Sequence, residues 1–314
     1  MTSRNIPINN STGKTRSFLC FLCFFSGIVF FTSGCVSNQR MTAAELAGLP
    51  GIAIPAEHIV FIGFDGWAGA YLEKANMPTV KRMIATGASS LDMRCIIPSI
   101  SWPNWSTLFS GTPPEHRNGE TTNYPAGVMD FTTIFAIVHN TNKTNVFFHE
   151  WGTLGNICPD EEVKKINITS NIESAQTIAN YIIQNKPVFT AVAFNEPDNT
   201  GHKNRWGSSA YYAKLAELDN LIAIIEQGVK DAGIYDSTVF VFSADHGGDF
   251  LWGHGGNLKK HRQIPIVIYG RGIKNGFTIP SPLSITDIAP TIAEIFGLAI
   301  PPEWTGRPLK EIFY

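Results

Sequence analysis

The stretch 58-HIVFIGFDG-66 decides the fold. It is apolar without alternation, rich in Ile and Phe, and it runs straight into an acid and a glycine. A strand with one wet face would alternate, so this one is predicted to be buried on both faces, as in a covered parallel sheet. Five more runs of the same kind follow: 144-TNVFFHE-150, 164-KKINI-168, 188-VFTAVAF-194, 238-TVFVFSA-244 and 264-IPIVIYG-270. Helix-period segments lie between them, near 78–86, 103–110, 173–185, 208–229 and 285–296. The last contains Pro290, which predicts a kink or a preceding turn. Strand and helix in alternation predict a single α/β sandwich with a largely parallel central sheet.

The composition excludes some roles. With 44% hydrophobic and 16% charged residues in 314, the chain has material for a full core and is not a disordered one. At the N-terminus, Lys14 and Arg16 precede the apolar run 17-SFLCFLCFFSGIVFF-31, then 32-TSG-34 and Cys35. A basic region, an apolar run and small residues predict a secretory leader. The cysteine after them resembles the lipobox of bacterial lipoproteins, although Thr32 stands where Leu is usual. The expected organisation is a signal peptide over 1–34, a tether over 35–56 and one folded domain over 57–314. The protein is then exported and held on a membrane by a lipidated Cys35, in the periplasm or at the cell surface. An uncleaved N-terminal anchor is the alternative. Residues 1–34 carry Arg4, Lys14 and Arg16 and no acid, so the net charge of the remainder falls from −2 to −5. That balance argues against a nucleic-acid groove. Cys95 and Cys158 sit in no metal-binding spacing and read as structural, with a disulfide left open.

Three strands deliver acids to one place. HIVFIGF runs into Asp65, VFTAVAF into 195-NEPDNTGH-202, and TVFVFSA into 245-DHGG-248. In open α/β sheets the ligand crevice lies beyond the carboxyl ends of the strands, so these acids converge. A single Asp there is commonly a turn or cap residue. Three, with His202 and His246 alongside and His254 in 252-WGHGG-256, form instead an oxygen and imidazole set suited to zinc. Their number suits two metals, which together clamp the attacking and leaving oxygens of a displacement at phosphorus.

The segment 98-PSISWPNWSTLFSG-111 then gains a role. Pro103 is a good first helical residue, which places Ser101 just before the helix N-terminus, where backbone N–H groups favour an anion. Ser101 reads either as a helix cap or, beside a metal, as a nucleophile.

FDG at 64–66, SWPN at 101–104, EPDNTGH at 196–202, ADHGG at 244–248 and GHGG at 253–256 occur in an order that resembles the alkaline phosphatase superfamily, in particular its type I phosphodiesterase/nucleotide pyrophosphatase branch. The resemblance spans roughly residues 57–310 and implies a three-layer α/β sandwich. It implies that Asp198, His202 and His254 ligate one zinc ion, and that Asp65, Asp245 and His246 ligate the other together with Ser101. It further implies Ser101 as nucleophile and Asn104 as the amide that holds a phosphoryl oxygen. Sulfatases of the superfamily carry Arg four residues after the nucleophile; here Trp105 stands there, which argues for phosphorus. No basic residue lies within the nucleophile motif, which favours a diester or pyrophosphate, while Arg94 and Arg117 flank it and keep a monoester open. A phosphomonoesterase or phosphonate hydrolase, and a non-catalytic binding lipoprotein, are the competing readings. Trp102 and Trp105 read as core rather than as stacking surfaces, 259-KKHR-262 as a solvated loop, and His58 and His149 as structural.

Overall fold

The structure, a computed structural model, describes residues 56–117 and 119–314. The expected leader, Cys35 and all of the tether before Ala56 lie outside the described residues. In chain order the elements are β1 (His58–Asp65), α1 (Pro78–Ala85), β2 (Ala88–Arg94), α2 (Ser101–Ser110), α3 (Ile134–His139), β3 (Asn145–His149), β4 (Lys164–Asn167) and α4 (Ile172–Asn185). They continue with β5 (Phe189–Pro197), α5 (Asp198–Asn204), α6 (Ser209–Asp231), β6 (Thr238–Ala244), α7 (Lys259–Arg262), β7 (Gln263–Gly270), β8 (Phe277–Thr278) and α8 (Ile288–Phe296).

The strands form one sheet in the order β4-β3-β5-β1-β6-β7-β2-β8, flanked by helices. Pairings are parallel except those of β7, which runs antiparallel to both β6 and β2. The expected largely parallel α/β architecture is therefore present. Every residue of β6 and all of β1 beyond His58 are buried, as the unbroken apolar runs require. Two strands escape the sequence pattern. β2 (ASSLDMR) is too polar to read as a buried strand, and β8 is only two residues long. Pro290 sits inside α8, whose entry is a 3-10 turn over Ile285–Asp287 fixed by a capping box between Ser284 and Asp287.

The order of strands places the site. β1 lies between β5 and β6, parallel to both, with Phe64 level with Phe194 on one side and Ala244 on the other. The three acidic termini are thus neighbours at one edge. Helix α2 packs across this edge with every residue buried. It begins at Ser101 itself, with Ile100 as an extended N-cap that offers no side-chain bond, so Ser101 is the first helical residue and Pro103 the third. That shifts the start two residues before the expected one. Proline is tolerated throughout the first turn, where the N–H it lacks has no helical partner, so it does not fix the first position. Among the described residues no helix is long and apolar enough to cross a membrane.

One glycine sets the distance between sheet and helix. A Cβ on Gly63 would lie 2.4 Å from the Trp105 ring, which is fully buried and stacked on Phe109. Gly63→Ala should cost about 1–3 kcal/mol as overpacking, seen as a drop of several degrees in Tm. An unchanged melting temperature would mean that Trp105 is not firmly seated.

Candidate metal centre

Two groups of ligand atoms form where the sequence placed them. Asp65, Asp245 and His246, all buried, make one; Asp198, His202 and His254 make the other, and within each the ligand atoms lie within 4.8 Å of one another. In the first, His246 Nε2 is 3.3 Å from Asp65 Oδ1 and 3.4 Å from Asp245 Oδ2. In the second, His202 Nε2 is 3.3 Å from Asp198 Oδ2 and 3.0 Å from His254 Nε2. The rings of His246 and His254 stack at 4.0 Å, so the groups adjoin.

The backbone is shaped to let the acids meet. Gly66 has φ +72°, and a Cβ there would lie 2.8 Å from the Asp198 side chain. Its N–H donates to Asp245 Oδ1 (3.1 Å), and its carbonyl accepts from Trp206 Nε1 and Tyr211 Oη, each at 2.9 Å. One residue thus ties the end of β1 to β6 and to the segment following α5.

The donor chemistry fits metal ions. Asp198 Oδ1 and Asp245 Oδ2 are buried with no hydrogen-bond partner, a costly state that a cation relieves. His246 Nδ1 lies 2.9 Å from Gly247 O and His254 Nδ1 lies 2.9 Å from Ser99 O. Donating Nδ1–H to a carbonyl leaves Nε2 of each ring as a free ligand atom. Ser101 Oγ is 3.3 Å from both Asp65 Oδ1 and His246 Nε2.

Without a cation the charges strain one another. Burial, and then the charge of Asp65, push the carboxyls of Asp198 and Asp245 above their usual range. For His246 burial alone would favour the neutral ring, but Asp245, Asp65 and Asp198 outweigh it and raise the pKa to about 10. His254 goes the other way, to about 3, through burial and the neighbouring His246. His202 is raised by its hydrogen bond to Asp198.

Asn104 does not reach this centre. It is fully buried, its Nδ2 donates to Pro98 O (3.0 Å) and Ile100 O (2.8 Å), and its Oδ1 accepts from Ile96 N (2.9 Å). The side chain staples the loop before α2 and has no hydrogen left for a phosphoryl oxygen, which corrects the expected role. The asparagine that does face the site is Asn123. It lines a cavity of about 190 Å³ together with Asp65, Ser101 and Asp198, and its Oδ1 accepts from Trp102 N (2.9 Å). With Oδ1 so engaged, the Nδ2 group is the free end. Only the polar run 119-GETTNYP-125 marked this loop, and such runs are ordinary surface. Larger clefts border Glu173 and Lys214, and Ser90 and Gln263, but neither lies at the ligand groups.

Trp102 and Trp105 are buried, as expected, and neither presents a stacking face. Trp105 does more than pack: its Nε1–H donates to Asp65 Oδ2 (3.2 Å). In 259-KKHR-262, His261 is buried and bonded to Asp249 (3.1 Å), while Arg262 binds Cys95 O, so half of that run is structural rather than solvated. His58 and His149 bond to backbone carbonyls. Cys95 and Cys158 are free and buried, and burial pushes both thiols up, Cys158 to about 12, so neither is a ready nucleophile.

A mostly parallel sheet with two adjoining Asp/His groups at its carboxyl edge and a serine at a helix start is an alkaline phosphatase-like architecture whose side chains could hold metal ions. The chain belongs to the type I phosphodiesterase / nucleotide pyrophosphatase family, whose model matches residues 59–119 and 126–252. The fold is shared with murine ectonucleotide pyrophosphatase / phosphodiesterase 5, solved as an inactive variant in complex with AMP (TM-score 0.70, 12% identity, 82% of this chain and 100% of that one). It is shared too with a phosphonate monoester hydrolase from Silicibacter pomeroyi (TM-score 0.65, 14% identity, 81% and 76%). Among curated proteins, arylsulfatase K of Danio rerio is 33% identical over 93 residues, 28% of this chain but only 18% of that protein's length.

The raised groups set a pH dependence. Folded His246 holds a proton between its ordinary 6.5 and about 10, where the unfolded ring has lost it. Stability from that proton is complete below 6.5 and lost as pH climbs through about 10. Asp198 and Asp245, also raised, act in the same direction from their ordinary carboxylate range upward, and His254 acts oppositely only below 6.5. Chelator-treated protein should therefore melt at falling temperature across this window, and zinc should restore more stability at its upper end than at its lower. A chelated Tm that rises with pH would contradict the site's charge balance.

Proposed function

We propose that the chain hydrolyses phosphodiester or pyrophosphate bonds, with Ser101 as nucleophile and two zinc ions as cofactors. Asp198, His202 and His254 would hold one ion; Asp65, Asp245 and His246 would hold the other, beside Ser101. The observation that carries this reading is the position of Ser101 Oγ, 3.3 Å from both Asp65 Oδ1 and His246 Nε2, at the first residue of a fully buried helix and open to the cavity.

Bound zinc would supply Lewis-acid neutralisation of the phosphoryl oxygens and a lowered pKa for the serine hydroxyl. The chain's own groups do the rest. Trp105 holds Asp65 Oδ2, which leaves Oδ1 facing the Ser101 hydroxyl. Ser101 Oγ bonds to phosphorus as the bond from phosphorus to the departing ester oxygen breaks; the hydroxyl proton passes to solvent and the departing oxygen takes one from it. Water then adds to phosphorus, the P–Oγ bond breaks, and Oγ regains a proton from that water. The free Nδ2 of Asn123 is placed to donate to a non-bridging oxygen as charge grows on it.

Charge favours a diester over a monoester. Two divalent ions, if held against the three carboxylates Asp65, Asp198 and Asp245, would leave a single net positive charge, which one diester anion would neutralise. The cations flanking the motif are engaged elsewhere: Arg94 pairs with Asp92 (2.8 Å), and Arg117 binds Thr112 O and Ser106 Oγ. Replacement of the sulfatase arginine by Trp105 favours phosphorus over sulfur, even beside the arylsulfatase K similarity.

Wild type loaded with zinc should turn over bis(4-nitrophenyl) phosphate faster than 4-nitrophenyl phosphate or sulfate. Ser101→Ala should lower kcat at least about 1,000-fold, in the range seen for lost nucleophiles, while still binding zinc. Full activity in that variant would remove Ser101 from the mechanism, and no turnover by metal-loaded wild type would favour a binding protein.

The N-terminal expectation is part of the proposal. The enzyme is exported as a bacterial lipoprotein, cut before Cys35 and anchored there by acylation, in the periplasm or at the cell surface. Cys35→Ala should move the protein from the membrane to the soluble fraction; membrane retention of that variant would point to an uncleaved anchor.

A further inference from the structure

Beyond the metal ligands, the cavity at Ser101 has a wall of distinct chemistry. Trp151, Asn195 and Asn199 form it, and no residue lining the cavity is cationic. Asn195 follows the end of the apolar core of β5, and its backbone N–H is fixed by Glu150 Oε2 (2.9 Å), which also accepts from the Ser170 hydroxyl. Among the described residues no protein group bonds the carboxamide of Asn195 or Asn199, so each keeps both a donor and an acceptor for a ligand. Trp151 is half-buried, and its backbone carbonyl lies 3.1 Å from His149 Nδ1.

Resting on the hydrolase reading above, we propose that this wall binds the organic group esterified to phosphorus, and that it selects an uncharged, hydroxyl-bearing one such as a glycerol or sugar residue. A hydroxyl both donates and accepts, as a carboxamide does, and the face of an indole covers the C–H side of a polyol. A second phosphate, as in a nucleoside polyphosphate, would meet no cation on this wall and would leave a dianion beside a centre with one net positive charge. Size agrees: about 190 Å³ is below the roughly 300–1,000 Å³ of ordinary small-molecule sites and suits a phosphoryl group with a small substituent. The narrowing is from diester or pyrophosphate to diester alone.

The test compares kcat/KM for three substrates of zinc-loaded wild type: methyl 4-nitrophenyl phosphate, glycerol-3-phosphate 4-nitrophenyl ester and ATP. The glycerol ester should exceed the methyl ester by about tenfold or more, as two to three added hydrogen bonds allow, and ATP should be the poorest. In Asn195→Ala and Asn199→Ala the glycerol-to-methyl ratio should fall at least about threefold each, mainly through KM. A ratio near unity in wild type, a ratio unchanged in both variants, or ATP as the best substrate would overturn the subsite while leaving the hydrolase reading intact. If wild type cleaves none of the three, the hydrolase reading itself fails, and the subsite with it.

Discussion

Three carboxylates brought side by side in a dry place repel one another, and the rest of this structure is arranged around that repulsion. Asp65, Asp198 and Asp245 lie at the ends of adjacent parallel strands or just beyond them, with two imidazoles stacked in contact between them. The sheet cannot relax by spreading, because its strands are locked by an apolar core on both faces. Hydrogen bonds from Gly66 and Trp105 remove part of the burden from individual oxygens, and Asp198 Oδ1 and Asp245 Oδ2 are left with none. A centre with these properties is suited to a cation by its own electrostatics, before any family likeness is considered.

The helix that begins at Ser101 shows how a rigid frame is built around one hydroxyl. Ser101 is the one hydroxyl of its segment turned to the ligand groups. Ser99 bonds Gly256 O, Ser106 and Thr107 bond Pro103 O, and Ser110 bonds Ser106 O. Asn104 fastens the loop before the helix, while Gly111, in the left-handed region, closes its other end. Ser99 O receives His254 Nδ1, so the loop that leads into the serine also aims a ligand of the second group. Serine and metal centre are therefore fixed by the same few residues.

Much of this was legible in the sequence, because it is written in local patterns. Unbroken apolar runs mark β1, β3, β5 and β6, and an acid directly after such a run points to the edge of the sheet. What was not legible depends on contacts across the chain. β2 looks polar because Ser89, Ser90 and Asp92 belong to a strand beyond β7, near the margin of the sheet. Asn104 and Asn123 are the same residue type near the same serine, and only the partners of each, Pro98 and Ile100 against Trp102, separate a staple from a group facing the cavity. Trp105 could be recognised as core from its neighbours, but its bond to Asp65 joins residues 40 apart.

The order of strands has a consequence for how the protein matures. Gly66 and the Asp245 side chain it holds are 179 residues apart, and His254 comes later still. β1, made first, sits between β5 and β6, made much later, so a nascent chain owns the first carboxylate long before it owns a cavity to put it in. Neither ligand group closes until the last of its members, at 246 and 254, has been synthesised and folded home. Stalled, clipped or misthreaded copies hold fragments of the two Asp/His groups and no pocket, so any metal these groups take up would count finished molecules.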